Sequence, residues 1–150
     1  MNFSLGVKKF AEKTGININK VIVATSSELF TNIIKGTPVD TGRLRGNWQP
    51  SIGSPITSRI GAKDASGQGE ASISKVTEVL NQFSGDGSLF LSNNLPYAYK
   101  IEYGLYPNPP KNPTGKTVNG FSTQAPKGMV RVSIRRVKAA MTKAIRNLPK

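Results

Sequence analysis

The feature that most constrains the fold is a run of apolar residues at helical spacing in residues 17–35 (NINKVIVATSSELFTNIIK). Its β-branched residues also suit a strand, but the pattern persists for about five turns, and this length favours an α-helix. One face carries Ile18, Ile22, Leu29 and Ile33, flanked by Val21, Phe30 and Ile34. Gly36 is a suitable C-terminal cap, and Pro38 is a stop signal. The sequence therefore predicts a long helix with one buried face.

Alternating apolar and polar residues follow a turn at residues 37–42 (TPVDTG). In residues 43–52 (RLRGNWQPSI) the even-numbered positions are mainly apolar and the odd-numbered positions are polar. The first set is Leu44, Gly46, Trp48 and Ile52, and the second is Arg43, Arg45, Asn47 and Gln49. This pattern predicts a half-buried strand that directs Leu44 and Trp48 inward and Arg43 and Arg45 outward. We expect the strand to end near Pro50, because proline has no N–H group to donate to a sheet.

A helix and a short strand are predicted in the middle of the chain. Residues 70–83 (EASISKVTEVLNQF) carry an apolar stripe at helical spacing, and either Ser72 or Ser74 suits the N-cap. After a glycine-containing turn, residues 88–93 (SLFLSN) have the composition of a short apolar strand.

Both ends of the chain are also predicted to be helical. Residues 129–147 combine apolar positions near helical spacing with many Lys and Arg residues. This segment is either a basic amphipathic helix throughout or one that begins with a short strand at residues 129–134. Residues 3–13 suit one or two helical turns, which Gly15 separates from the long helix. Residues 94–104, rich in Tyr, suit either a short helix or a bent strand.

The remaining segments are predicted to be irregular. Residues 53–69 are rich in Gly, Ser and Ala and suit a loop or a mobile edge hairpin. Residues 105–127 contain five Pro and two Gly, and only Thr117 and Val118 indicate extended structure. We therefore expect one domain over residues 1–150, with a Pro/Gly-rich loop at 105–127. Its fold class is α+β, a small and mainly antiparallel sheet packed against long N- and C-terminal helices.

Composition restricts the chemistry. The chain of 150 residues has no Cys and no His. Disulfides, thiolate nucleophiles, imidazole bases and Cys- or His-ligated metals are therefore excluded. No signal peptide or apolar run long enough to span a bilayer is present in the sequence, so we expect a soluble, unprocessed protein.

The excess of positive charge is concentrated in the C-terminal third. Residues 1–102 hold 11 basic and 8 acidic residues, whereas residues 103–150 hold 10 basic residues and no acidic one. This imbalance fits attraction to nucleic acid, an acidic protein surface or an anionic membrane, and equally a solvated basic face.

The carboxylates are scattered, which argues against an active site. Glu102 is the most notable because it lies in the densest aromatic stretch and is the last acidic residue. We interpret it as the partner of an arginine such as Arg43 or Arg45, rather than as a general base. The sequence Gly115-Lys116-Thr117 lacks the first glycine of a phosphate-binding loop and is interpreted as accidental. We expect neither a cofactor nor a bound metal.

Two segments together resemble a known protein family. One is residues 37–48 (TPVDTGRLRGNW), and the other is residues 93–104 (NNLPYAYKIEYG), followed after an insertion by residues 124–131 (QAPKGMVR). Their order and spacing resemble the neck, or tail-completion, proteins of long-tailed bacteriophages, also called minor tail protein Z-like. Residues 105–123 replace the short link of the family pattern and are a departure from it.

The resemblance implies a non-enzymatic virion protein at the head–tail junction, which acts in a homo-oligomeric ring with six copies and contacts other neck, tail and connector proteins. It would assemble in the host cytoplasm. Packaged DNA is a further partner through the basic C-terminal third, and a membrane is not expected. The alternative is a stand-alone DNA-binding protein that uses the C-terminal helix. The residues expected at interaction surfaces are Arg43, Arg45, Trp48, Tyr97, Glu102, Tyr103, Lys111, Lys116, Lys127, Arg131, Arg135 and Arg136.

Overall fold

A computed structural model describes residues 3–148, so both extremes of the expected 1–150 domain lie outside the described range. The helices are α1 (Phe3–Thr14), α2 (Ile18–Lys35), α3 (Arg43–Gly46), α4 (Glu70–Leu80), α5 (Pro96–Tyr103) and α6 (Val130–Arg146). The strands are β1 (Gln49–Ile52), β2 (Leu89–Ser92), β3 (Thr117–Val118) and β4 (Phe121–Ser122). The α+β class is confirmed, with a small antiparallel sheet and helices at both ends.

The terminal helices pack against one another. Val7 and Ala11 of α1 bury their side chains with Val21 of α2, and Met141 of α6 covers this small cluster. Gly15 separates α1 from α2 with a φ of +70°, a left-handed conformation that glycine adopts readily. The predicted long helix is confirmed, and the expected one or two turns before Gly15 are a helix of 12 residues.

The second half of α2 belongs to the main core. Phe30, Ile33 and Ile34 pack there with apolar side chains from α3, α4 and α5, from the segments next to β1 and β2, and from the segment between β4 and α6. The buried members from those other elements are Leu44, Trp48, Val76, Leu80, Leu95, Ala98, Ile101, Ala125 and Met129. Because α2 contributes to both clusters, it connects the helical end of the molecule to the sheet.

β1 and β2 form an antiparallel pair whose register runs from Gln49 opposite Ser92 to Ile52 opposite Leu89. The predicted strand at residues 88–93 is therefore confirmed, but the strand predicted at 43–52 is wrong over its first half. Residues 43–46 form the short helix α3, and the strand begins only at Gln49 and contains Pro50.

Close backbone packing explains the helix at residues 43–46. Gly42 has a φ of +86°, and its carbonyl oxygen accepts a hydrogen bond from the Asp64 N–H group at 2.8 Å. A Cβ atom on Gly46 would lie 2.5 Å from the Ala62 carbonyl oxygen. The loop of residues 53–69 thus lies directly against α3. An extended backbone at residues 43–46 would move these residues away from the loop and lose this close packing. The predicted hairpin alternative for this loop is wrong, since no strand lies within it.

The N-terminus of α4 has a cap from outside the helix. Asp64 accepts hydrogen bonds from the Ser72 N–H group at 2.9 Å and from the Ser72 hydroxyl at 2.6 Å. The expected N-cap at Ser72 or Ser74 is wrong, because the N-cap position is Gly69 and Ser72 lies inside the first turn. Asp64 therefore ties the long loop to the helix that follows it.

The C-terminal third combines a small hairpin with a helix. Residues 94–104 adopt the helical alternative as α5, and β3 pairs with β4 within the Pro/Gly-rich segment. α6 is helical from Val130, so the alternative that begins with a strand at 129–134 is wrong. None of the helices in residues 3–148 is long and apolar enough to cross a membrane.

Candidate functional site

The end of α5 and the start of α6 are joined by one carboxylate. Glu102 is 7% exposed and accepts hydrogen bonds from the N–H groups of Met129, Val130 and Arg131 at 2.6, 2.8 and 2.9 Å. Met129, the N-cap residue of α6, makes no side-chain cap bond. Glu102 therefore supplies both the missing cap and a negative charge at the positive end of the α6 dipole.

The side chain of Arg131, in α6, binds Glu102 at the end of α5. Its Nε donates to Glu102 Oε1 at 3.1 Å, and its Nη2 donates to the Glu102 carbonyl oxygen at 2.7 Å. The guanidinium carbon also lies 4.3 Å from the centre of the Tyr103 ring, a cation–π geometry. The predicted pairing of Glu102 with an arginine is confirmed, but the partner is Arg131 and not Arg43 or Arg45.

Two glycines allow this close approach. Gly104 ends α5 with a φ of +65° and donates its N–H to the Lys100 carbonyl. Gly128 has a φ of +85°, and a Cβ atom there would lie 2.6 Å from the Glu102 carbonyl oxygen. The glycines at both ends of the junction are thus required by its geometry.

The carboxylate of Glu102 is fully occupied. Burial raises the pKa of this group, but hydrogen bonds from the first N–H groups of α6 and from the Arg131 side chain outweigh it and hold the pKa below its ordinary value. Each oxygen accepts two hydrogen bonds, which uses the acceptor positions of a carboxylate. Such a group suits a structural role better than proton transfer.

An aromatic patch lies on the surface beside the junction. It consists of Tyr99, Tyr103 and Leu105, whose exposed fractions are 64%, 44% and 53%. The rings of Tyr99 and Tyr103 are 4.6 Å apart between centroids and tilted by 42°. Tyr99 and Leu105 were not among the predicted residues, although tyrosines four residues apart lie on one face of a helix.

A basic face continues from the junction along α6. The inner face of this helix buries Ser133, Val137 and Ile145. The outer face exposes six cations, which we call the basic face: Arg131, Arg135, Arg136, Lys138, Lys143 and Arg146. Within residues 3–148, only Arg131 of these six takes part in an ion pair.

Two of the predicted interaction residues belong to the core. Arg45 and Trp48 are each 5% exposed. The Trp48 indole donates to the Thr37 hydroxyl at 2.8 Å, so its predicted inward direction is confirmed. The predicted outward direction of Arg45 is wrong: its Nη1 donates to the Ser66 carbonyl at 2.7 Å, while its buried Nε has no partner among the described residues. Both side chains stabilise the fold from inside.

The other predicted residues are at the surface. Arg43, Tyr97 and Lys116, which come from three separate segments, line one cleft of about 560 Å³. Lys111 and Lys127 are exposed and make no side-chain hydrogen bond or ion pair with any residue in the 3–148 range. The predicted set is thus divided between the junction, the basic face, the cleft and the core.

Across residues 3–148, no group of three or more Asp or Glu side chains is arranged to hold a metal ion. No protein-family model, no curated protein and no solved structure matches the chain. The indications of function are therefore the surface features and the resemblance of residues 37–48, 93–104 and 124–131.

Proposed function

We propose that this protein is a structural virion protein of a long-tailed bacteriophage, which completes the tail and joins it to the head. It acts without catalysis, in a homo-oligomeric ring at the head–tail junction, through contacts with other neck, tail and connector proteins. It assembles in the host cytoplasm and remains in the virion.

The observation that carries the proposal is the contact among the segments that resemble the neck proteins. The Asn93 side-chain amide donates to the Leu44 carbonyl at 2.8 Å, which links residues 37–48 to residues 93–104. The Val39 N–H group donates to Gln124 Oε1 at 2.8 Å. Arg131 and Glu102 complete the link between the last two segments. Segments distant in sequence thus form one connected unit, as expected if the resemblance reflects a common fold.

The exposed features around this unit fit a protein that acts through contacts. Tyr is enriched in protein interfaces, and the aromatic patch presents two tyrosines with an arginine beside them. The Pro/Gly-rich loop and the edges of the two-stranded sheets provide further surface for contacts within a ring.

The test is the assembly of virions that lack the protein. We expect filled heads and separate tails in electron micrographs, and restoration of joined particles when the protein is supplied from a plasmid. The protein itself should be found at the head–tail junction by gold labelling. Fully joined, infectious particles without the protein would rule out the proposal.

A surface variant makes this test more specific. Tyr99→Ser removes the most exposed ring of the aromatic patch and should lower the yield of joined particles. The matched control is Gln82→Ser, because Gln82 is exposed just after α4 and far from the patch in sequence. Equal yields from the two variants would show that the aromatic patch is not the contact surface.

The basic face favours a second candidate, a stand-alone DNA-binding protein. It holds six cations and no acidic residue, and cations on one helix face neutralise the phosphates of a duplex. Duplex binding should weaken steeply with salt and should be lost when Arg135, Arg136 and Lys138 are changed to Gln. The control replaces Lys8, Lys9 and Lys13 of α1, which are equally exposed. Absence of duplex binding at low salt would exclude this candidate.

A further inference from the structure

The cleft next to the junction has three walls. The segment of residues 38–44 forms one wall, the β3–β4 hairpin with the residues next to it forms the second, and α5 forms the third. The floor is apolar, since Leu44 and Ile101 are 4% and 5% exposed there. Two half-buried tyrosines, Tyr97 and Tyr106, lie beside them. The volume of about 560 Å³ is within the usual range of ligand-binding clefts.

The wall of residues 38–44 and the hairpin wall are joined by hydrogen bonds, so both are in place before a ligand binds. Gln124 follows β4 in the lining of the cleft and uses both ends of its amide: Oε1 accepts from the Val39 N–H group at 2.8 Å, and Nε2 donates to the Val39 carbonyl at 3.0 Å. The Tyr106 N–H group donates to the Gly120 carbonyl at 3.1 Å and fixes the turn of the hairpin. A preformed cleft binds its ligand without a large ordering penalty.

The rim of the cleft carries a positive charge that is free to bind. Arg43 is exposed and makes no ion pair within residues 3–148. Lys116 Nζ lies 4.0 Å from Asp40 Oδ2, and these side chains are 75% and 86% exposed. An exposed pair at this distance contributes little, so an incoming carboxylate can displace Asp40 from Lys116.

The floor adds a preference for uncharged, apolar groups. The phenol of Tyr106 is neutral at physiological pH, and burial, together with the neighbouring Tyr97, raises its pKa further above the ordinary value. A neutral floor below a cationic rim matches a ligand with an apolar group next to a carboxylate. A second copy of this chain is a poor occupant of the cleft, because it has only 8 acidic residues and so offers few carboxylates to the cationic rim.

We propose that this cleft binds an extended segment of an acidic assembly partner. An apolar side chain of that segment lies on Leu44 and Ile101, and a neighbouring carboxylate lies between Arg43 and Lys116. The proposal gives the chemistry of one partner and rests on the proposed function only in taking the occupant to be an assembly protein.

The experiment uses an array of random acetylated peptides of about six residues, a length of about 20 Å when extended. The wild-type protein is applied at about 0.15 M salt, where the charge interactions of distant groups are screened. We expect selection of peptides that combine an Asp or Glu with a large apolar residue. The selected peptides should also shift the NMR signals of Leu44 and Ile101.

Charge variants test the rim with matched controls. Arg43→Gln and Lys116→Gln should each weaken the binding of a selected peptide by about tenfold, the effect of losing one charge-assisted hydrogen bond. Lys111→Gln and Lys127→Gln remove the same charge outside the cleft lining and should leave the affinity unchanged. All four side chains are exposed, so the variants should fold normally.

Three results would overturn the proposal. These are selection of basic or uncharged peptides, equal affinity of the cleft and control variants, and dimerisation of the protein through the cleft. The result is independent of the virion test. If the selected peptides bind but particles without the protein are normal, the cleft proposal stands and the head–tail role is rejected. If no acidic peptide binds but particles without the protein fail to join, the head–tail role stands and the cleft proposal is rejected.

Discussion

Glu102 stabilises two helices at once. Its carboxylate caps the N-terminus of α6, while its backbone carbonyl oxygen, in the last turn of α5, accepts a hydrogen bond from the Arg131 side chain. Replacing Glu102 with Gln keeps the size but puts an amide NH₂ group among N–H donors. We expect the free energy of unfolding to fall by about 2–4 kcal/mol, since several charge-assisted hydrogen bonds are lost at a buried position. Urea denaturation monitored by circular dichroism measures this loss.

The matched control for that variant is Glu78→Gln. Glu78 is exposed on α4, and its side chain makes no hydrogen bond or ion pair among the described residues. The control should change stability by less than about 0.5 kcal/mol. Similar losses in both variants would contradict the role assigned to Glu102.

Asp64 gives the protein a pH dependence in the acid range. Burial raises the pKa of this carboxyl, but hydrogen bonds from Ser66 and Ser72 outweigh it and lower the pKa from 3.8 to about 2. Because the folded protein holds this proton less tightly than the unfolded chain, the stabilisation is present above pH 4 and is lost as the pH falls through 2. The loss between pH 5 and pH 2 should be about 2 kcal/mol.

Asp64→Asn isolates this effect. The variant should be less stable than the wild type at pH 7, and the difference should shrink by about 2 kcal/mol by pH 2. Chemical denaturation at several pH values measures both curves, with Asp86→Asn as the exposed control. Parallel curves for the wild type and Asp64→Asn would contradict the low pKa.

At the scale of elements, the long periodic segments could be predicted and the short ones could not. The length of residues 17–35 outweighed their β-branched composition, and α2 has nearly the predicted bounds. Residues 43–46 have only one turn in which to show a helical period, so the alternation of Leu44 and Trp48 suggested a strand. Arg45 was predicted to be exposed because it is charged, but its long aliphatic stem allows the side chain to be buried.

The β3–β4 hairpin carried a signal that was overlooked. Asn119 and Gly120 both have positive φ values, of 52° and 84°, and connect Val118 to its partner Phe121. Asn-Gly is the preferred sequence of a two-residue turn with this geometry. The surrounding prolines suggested irregular structure, but Asn-Gly next to Thr117 and Val118 indicates a hairpin.

The contact between this hairpin and α5 depends on Gly104. A Cβ atom at this position would clash with the Phe121 ring of β4. We expect Gly104→Ala to lower the free energy of unfolding by at least about 2 kcal/mol, from backbone strain and overpacking together. Thermal and urea denaturation measure the loss.

Gly15→Ala separates these two causes. Gly15 has a φ of 70°, close to the 65° of Gly104, but a Cβ atom there would meet nothing within 4 Å. This control should therefore show the strain alone, about 1 kcal/mol. Equal losses in the two variants would mean that the packing of Phe121 on α5 contributes nothing.

At the scale of the whole molecule, positive charge opposes compactness. The net charge is +13, and the described residues contain only two ion pairs. Raising NaCl from about 20 to about 150 mM shortens the Debye length to about 8 Å and screens this repulsion. We expect the Tm to rise by about 2–4 °C, equivalent to about 1 kcal/mol.

Calorimetry at several salt concentrations measures this rise. Changing Arg135, Arg136 and Lys138 to Gln should reduce it, because these cations lie close together on α6. A Tm that falls as salt increases would mean that attractive ion pairs outweigh the repulsion.

The candidate site could be predicted only in part, since its residues meet in three dimensions. Tyr103, Glu102 and Arg131 were each identified from composition and resemblance, but the partner of Glu102 lies 29 residues away and no local pattern indicates it. The cleft has the same limitation, because Arg43 and Lys116 lie on segments distant in sequence, which the hydrogen bonds between Val39 and Gln124 join.

Hydrogen bonds to the turn and to the open end of the β3–β4 hairpin hold the two ends of the loop of residues 107–115, which makes its tip replaceable. Tyr106 is bound to Gly120 and Lys116 to Thr123, so the chain enters and leaves this tip at fixed points. Doubling the length of a flexible loop between fixed ends costs only about 0.6 kcal/mol. The tip can therefore accept an affinity tag or a fluorescent label near Asn112 without altering the fold, which offers a handle for purifying and imaging the protein.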